Sequence, residues 1–161
     1  AISIKKTLKL YNVENIKFKW PNDIFFKNKK FCGIISELYQ INNLQSYAML
    51  GFGINIESSP KIKNIQTTYI NSFCEIENLF DFLFHFFEIL FLNLNYLLKN
   101  KYNYLIDEFN ESLLFLEEKI KIKLPDSSIV SGIFKGINSD GSLKLQNNNK
   151  IKNFYNGSII L

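Results

Sequence analysis

The stretch that most constrains this fold is Ile16-Lys17-Phe18-Lys19-Trp20-Pro21. Ile16, Phe18 and Trp20 alternate with Lys17 and Lys19, the period-two pattern of a strand with one apolar and one cationic face. Pro21 has no N–H to give a ladder and keeps Trp20 extended, so the strand should end there. Asn22 and Asp23 suit a turn. Ile24-Phe25-Phe26 resumes an apolar run, Lys27-Asn28-Lys29-Lys30 reads as a hairpin turn, and Phe31 to Tyr39 reads as the returning strand. The expected product is a meander that gathers Lys19, Asn22, Asp23 and Lys30 at strand ends. On the residues alone two readings stay open. The four are solvated turn residues, or they form an anion site in which two ammonium groups and a carboxylate surround a phosphate or carboxylate.

After a polar turn at 41–46, Tyr47 to Ile56 reads as the next strand. Gly51, Gly53 and Asn55 fall on one of its faces, Leu50, Phe52, Ile54 and Ile56 on the other. Two glycines on one face weaken a strand unless something approaches closely. A tightly packed neighbouring element and a ligand both fit that requirement. Glu57 to Tyr69 is a long polar connection around Pro60.

The remainder reads as helices, then short strands. Ala1 to Leu10 resembles the end of a helix with Ile4 and Leu8 on one face. Glu77 to Lys99 is a strongly apolar helix, long enough to suggest a membrane span. Asn78, Asp81, His85, Glu88, Asn95 and Lys99 recur on it as a narrow polar stripe, which points instead to an amphipathic helix embedded over most of its surface. His85 and Glu88 are read as surface residues rather than metal ligands. A second helix is expected over about 102–116, burying Tyr102, Leu105, Ile106, Phe109 and Leu113. Lys119 to Leu124 alternates cleanly, and Ile129 to Ile137, Ser142 to Gln146 and Ile151 to Phe154 follow, with turn signals at Pro125-Asp126, Asp140-Gly141 and Asn147-Asn148-Asn149. That density of strands implies a small barrel.

A hydrophobic content of 47% and an aromatic content of 16% exclude a disordered chain, and 161 residues suffice for a real core. A net charge of +4 with dispersed lysines does not indicate nucleic-acid binding. Cys32 and Cys74 form neither a disulfide framework nor a metal-ligand cluster, and Cys32 reads as a core residue. No signal peptide is visible, so the cytoplasm, or an organelle interior in a cell with an AT-rich genome, is expected.

Lys19-Trp20-Pro21-Asn22-Asp23, then Lys30 with Gly33-Ile34-Ile35-Ser36-Glu37, then Gly51-Phe52-Gly53-Ile54-Asn55-Ile56 resemble, in order and separation, the successive signatures of the biotin–protein ligases. These are also called biotin–acetyl-CoA-carboxylase ligases or holocarboxylase synthetases. The resemblance implies an α+β fold: part of a class II synthetase-like mixed sheet with helices over 1–117, then an SH3-like barrel over 118–161. It implies that biotin is activated with ATP as biotinyl-5′-AMP and transferred to a lysine of a biotin carboxyl carrier domain, of acetyl-CoA carboxylase or a related carboxylase. By the same resemblance Lys30 is catalytic, contacting the biotin carboxyl and the α-phosphate. Lys19 holds phosphate and Asp23 orients a lysine or approaches the ligand. Asn22, Gly33, Gly51, Gly53 and Asn55 complete the substrate site, with Asn55 presenting its amide to the nucleotide. Thr67-Thr68 stands where the family often has Thr-Ser, in a loop over the adenosine. Mg2+ is expected to arrive with the nucleotide, no membrane or nucleic-acid partner is expected, and pairing of exposed sheet edges into a homodimer is allowed by analogy. Nothing matches the family's Gly-Arg-rich biotin loop or its helix-turn-helix, so the chain resembles a C-terminal part that begins inside the catalytic domain and is incomplete alone. A lipoate ligase, a non-catalytic carrier-binding module and a basic small-barrel nucleic-acid binder are the alternatives.

Overall fold

The computed structural model describes residues 1–42, 45–99, 103–148 and 150–160. A nine-residue helix, α1 (Ile2–Leu10), buries Ser3, Ile4, Thr7 and Leu8. It leads into an antiparallel meander of β1 (Ile16–Lys19), β2 (Asp23–Phe26), β3 (Lys29–Asn42) and β4 (Gln45–Ile54), in that spatial order. Among the described residues, its parallel contacts are two isolated bridges, Phe18 with Leu113 and Lys30 with Thr67.

Two expectations about the meander change. Asp23 is not a turn residue but the first residue of β2, opposite Lys19 on one side and Gly33 on the other. Lys30 likewise lies in β3, because the turn is only Lys27-Asn28. Both turn residues have positive φ (46° and 62°), the conformation that lets a two-residue loop match the strands' twist.

A 3-10 turn at Ile70–Ser72 precedes α2 (Leu79–Leu98), whose first turn is capped by the Asn78 side chain accepting from the Phe80 N–H. The embedded-helix expectation fails here. Within α2 only Phe82, Phe86 and Asn93 are buried, while Phe80 (84%) and Leu98 (82%) are exposed. Exposed apolar residues flank the polar stripe, and α1 and the sheet, through Phe86 against Phe52, cover one side of the helix. Among the described residues α2 is the one helix long and apolar enough to cross a membrane. His85, expected on a solvated stripe, is half-buried against Tyr11.

The next helix, α3 (Asn103–Glu111), stops earlier than its apolar spacing suggests. Backbone competition ends it: Phe18 donates to the Ser112 carbonyl at 2.8 Å and accepts from the Leu114 N–H at 2.8 Å, so 112–114 is drawn out along β1. Leu105 and Leu113 are buried as expected, whereas Tyr102 lies outside the described residues, as do Asn149 of the last turn and Leu161. A second antiparallel sheet follows, in the order β8 (Lys150–Phe154), β7 (Leu143–Asn147), β6 (Ile129–Ile137), β5 (Lys119–Lys123), β9 (Ser158–Ile159). In β5, Ile120 and Ile122 point inward and the three lysines outward.

Buried residues from both sheets form one contiguous cluster, from Ile4 and Phe18 through Phe134 to Ile159. Phe18 is central to it: 1% exposed, with its ring 4.9 Å from that of Phe109. Phe18→Ala is therefore expected to cost about 3–5 kcal/mol, read as a lower midpoint in urea unfolding with little change in slope.

Candidate functional site: a glycine-floored cavity beside an ion pair

In the β3–β4 pairing, Gly33 stands opposite Gly53 and Ile35 opposite Gly51. Residues directly opposite share a face, so three glycines form one patch without side chains. Above it opens a cavity of about 420 Å³, lined by Lys30, Gly33, Gly51, Gly53 and Asn55, with Pro60, Ile62 and Thr67 from the loop after β4. That volume suits a small organic ligand. Among the described residues no packed element crowds the two glycines of β4. A Cβ at Gly51 would meet nothing nearer than 3.9 Å and one at Gly53 nothing nearer than 3.7 Å. Neither glycine has positive φ, so neither backbone geometry nor a neighbour demands them. They leave room.

Lys30 reaches this face through a bulge. Ile24 pairs with Cys32 and Phe25 with Lys30, so Phe31 is an extra residue in β3. Strict alternation would put residues 30 and 33 on opposite faces; the inserted residue brings both beside Asp23. Lys30 Nζ lies 2.5 Å from Asp23 Oδ1, with the two side chains 23% and 16% exposed. A Cβ on Gly33 would stand 3.4 Å from Lys30 Nζ and 3.6 Å from Asp23 Oδ1, so the absence of a side chain there keeps the pair open to the cavity.

Lys19 is closer to the core than the alternation implied, at 7% exposed. Burial lowers its pKa from the ordinary 10.5, the Asp23 carboxylate opposes that, and the Lys30 ammonium adds to it. The Asp23 carboxylate is paired with Lys30 and also acts on Lys19, so positive charge is in excess around it; of the three, Lys30 lines the cavity, and Lys19 and Asp23 do not. Burial pushes the Cys32 thiol up to about 12, which keeps it protonated and fits its reading as a core residue.

The remaining expected residues divide. Asn55 lines the cavity, but its amide N–H donates to the Thr68 carbonyl at 3.0 Å, so the group expected to face a nucleotide holds the loop. Asn22 donates to the Ile34 carbonyl at 2.7 Å and its carbonyl accepts from the Ile34 N–H at 2.9 Å. It staples the β1–β2 turn to β3 and does not line the cavity.

Sequence reasoning gave Pro60, Ile62 and Thr67 a place in a covering loop, Glu57 to Tyr69, and named none of them as a site residue. The loop returns to β3: Lys30 N–H donates to the Gln66 carbonyl at 2.8 Å and the Lys30 carbonyl accepts from Thr68 N–H at 2.9 Å. Thr67 Oγ1 donates to the Pro60 carbonyl at 2.6 Å and closes the loop on itself.

Residues 115–161 match the family described as biotin protein ligase C terminal domain. The whole chain is similar in fold to solved ligases. Against the apo biotin protein ligase of Aquifex aeolicus the TM-score is 0.81 at 19% identity, covering 98% of this chain and 70% of that one. Against the same enzyme in complex with biotin and ATP it is 0.80 at 20% identity, covering 98% and 66%. Against biotin acetyl coenzyme A carboxylase synthetase of Helicobacter pylori with bound biotinylated ATP it is 0.54 at 19% identity, covering 93% and 60%. This chain therefore spans about two-thirds of the length of the structures it matches. Residues 115–161 thus match the model of the biotin protein ligase C-terminal domain, and the chain as a whole shares the fold of solved biotin protein ligases.

Proposed function

We propose that this chain is the part of an ATP-dependent biotin–protein ligase that holds the reacting carboxyl and α-phosphate, with its catalytic portion at 1–117 and its SH3-like portion at 118–161. The observation that carries the reading is the Lys30–Asp23 pair opening onto a glycine-floored cavity. In the proposed first step the biotin carboxylate oxygen attacks the α-phosphorus of ATP, the bond to the β-phosphate oxygen breaks, and pyrophosphate leaves with that electron pair. Negative charge gathers on the phosphoryl oxygens, and fixed cations beside them lower the barrier. Lys30 would supply that charge directly, held in place by Asp23, and Lys19 would add to it from beneath. In the second step a carrier lysine amine attacks the mixed anhydride, an amide forms, and AMP leaves as an anion that the same cations stabilise.

The chain has no arginine, so its fixed cations are lysines. Magnesium would enter on the nucleotide phosphates. Asp23 is engaged by Lys30, and among the described residues no three His, Cys, Asp or Glu side chains cluster to cage an ion. The partner in transfer would be a biotin carboxyl carrier domain, of acetyl-CoA carboxylase or a related carboxylase. A module that binds carrier without activating biotin is the alternative.

Three measurements test the proposal. In a ligase that supplies the remainder of the catalytic domain, biotin-dependent release of pyrophosphate from ATP is expected, and Lys30→Ala should lower it at least about 100-fold while the fold persists. Normal release by that variant would remove Lys30 from its role. ATP binding with no release, together with carrier binding, would favour the module. Gly53→Ala should leave thermal stability unchanged or higher by about 0.5 kcal/mol, since a mid-strand glycine is unfavourable, yet weaken ATP binding at least tenfold by filling the floor. Lys19 has a lowered folded-state pKa, so burying its charge costs stability throughout the pH range below that pKa. The cost is relieved as pH rises through the folded value towards the unfolded 10.5. Lys19→Met should therefore be more stable than the parent at pH 7, and the difference should shrink as pH approaches 10.5.

A further inference from the structure

The segment that carries Lys19, Asn22 and Asp23 is gripped from outside its own sheet. Trp20, 4% exposed, follows Lys19 directly, and its indole Nε1–H donates to the Gly141 carbonyl at 3.1 Å. Gly141 lies in the turn between β6 and β7, and that turn is braced on its polar side. The Asp140 carboxylate accepts from the Ser142 N–H at 2.9 Å and hydroxyl at 2.6 Å, and from the Tyr155 hydroxyl at 3.2 Å. Asn138 donates through its backbone N–H to the Ser142 carbonyl at 2.9 Å and through its amide to the Ser142 hydroxyl at 2.9 Å. Gly141 itself has φ +82°, a conformation other residues rarely adopt. Five hydrogen bonds and one left-handed residue therefore fix where this carbonyl points.

A second tie limits movement of the whole turn. Asn110, at the end of α3, accepts from the Ile137 N–H at 2.8 Å and donates to its carbonyl at 3.4 Å. The amide fits because residue 136 is glycine: a Cβ there would stand 2.5 Å from Asn110 Oδ1.

From this geometry we propose that Trp20 is a positioning residue: through the indole–carbonyl bond the second sheet sets where Lys19 and Asp23 stand relative to Lys30. The substrate part of the idea rests on the ligase reading; the positioning part does not. Lys19 and Asp23 are directly paired across the three-residue turn Trp20-Pro21-Asn22, so a shift of Trp20 moves both. Displacements near 1 Å at a reacting centre suffice to cost large factors in rate.

The test is Trp20→Phe, which keeps an aromatic ring in the core and deletes the N–H. Urea unfolding, ATP affinity, and the titration midpoint of Lys19, followed by NMR of its side-chain ε-carbon, are measured on the same chain. A retained cooperative transition is expected, with ATP Kd raised about tenfold and the Lys19 midpoint moved from its lowered value towards 10.5. Phe134→Leu disturbs the second sheet's core without deleting the indole–carbonyl bond and should leave both site readings in place. An unchanged Lys19 midpoint with unchanged ATP affinity in Trp20→Phe overturns the proposal. Where the parent chain binds no ATP, the ligase reading fails and the Lys19 midpoint alone decides this one. Should Trp20→Phe not fold, Asp140→Ala loosens the exposed turn without touching the indole. It is expected to move the same readings less far, with Asp140→Asn, which keeps the accepting oxygen, restoring them; no movement in Asp140→Ala counts against the proposal.

Discussion

Lys30 reaches Asp23 because β3 carries one residue more than β2 opposite it, and much of the site follows from that inserted Phe31. Without the bulge, Lys30 and Gly33 would face opposite sides of the sheet and the ammonium would have no carboxylate beside it. The bulge is held by packing and backbone bonds together. Phe31 is fully buried against the ring of Phe73, and its carbonyl accepts from the Asn55 N–H at 2.8 Å. Lys30 uses its own N–H and carbonyl to draw in the loop that forms the far wall. One irregular strand position therefore orients the cation, opens its partner to the cavity and anchors the opposite wall.

The site works against stability at several points. Glycines at 51 and 53 leave a strand face bare with no packing partner, and Lys19 is a buried ammonium whose carboxylate neighbour is already engaged by Lys30. Each choice is unfavourable in a purely structural protein. Each is also what a cavity needs if it receives a flat or anionic ligand. A continuous core through both sheets offsets these costs, with Phe18, Phe134 and Ile122 essentially inaccessible to water.

The meander was readable because alternation is strong: Ile16 to Lys19 and Gly51 to Ile54 lie in paired strands, as does Lys119 to Lys123 in the second sheet; β9 and its place beside β5 were not readable. The gathering of Lys19, Asp23 and Lys30 was readable from the same meander. The bulge was not, since no glycine or proline marks Phe31. Nor was the burial of Lys19, because alternation assigns a face but not the depth of what covers it. The far wall depended on a return of 66–68 to Lys30, a contact more than thirty residues away in sequence that no local pattern encodes. The polar stripe of α2 was real in sequence, yet a stripe says which side is polar and not how much of the rest is covered.

The joint at Trp20 also has an optical consequence. It holds the single tryptophan of the chain, buried one residue from Lys19 and bonded to the other sheet. Indole emission from this protein is therefore a local signal rather than an average over the molecule. It carries the polarity and mobility of the seam between the sheets, so separation of the two halves and loosening of the cationic site are seen by one chromophore.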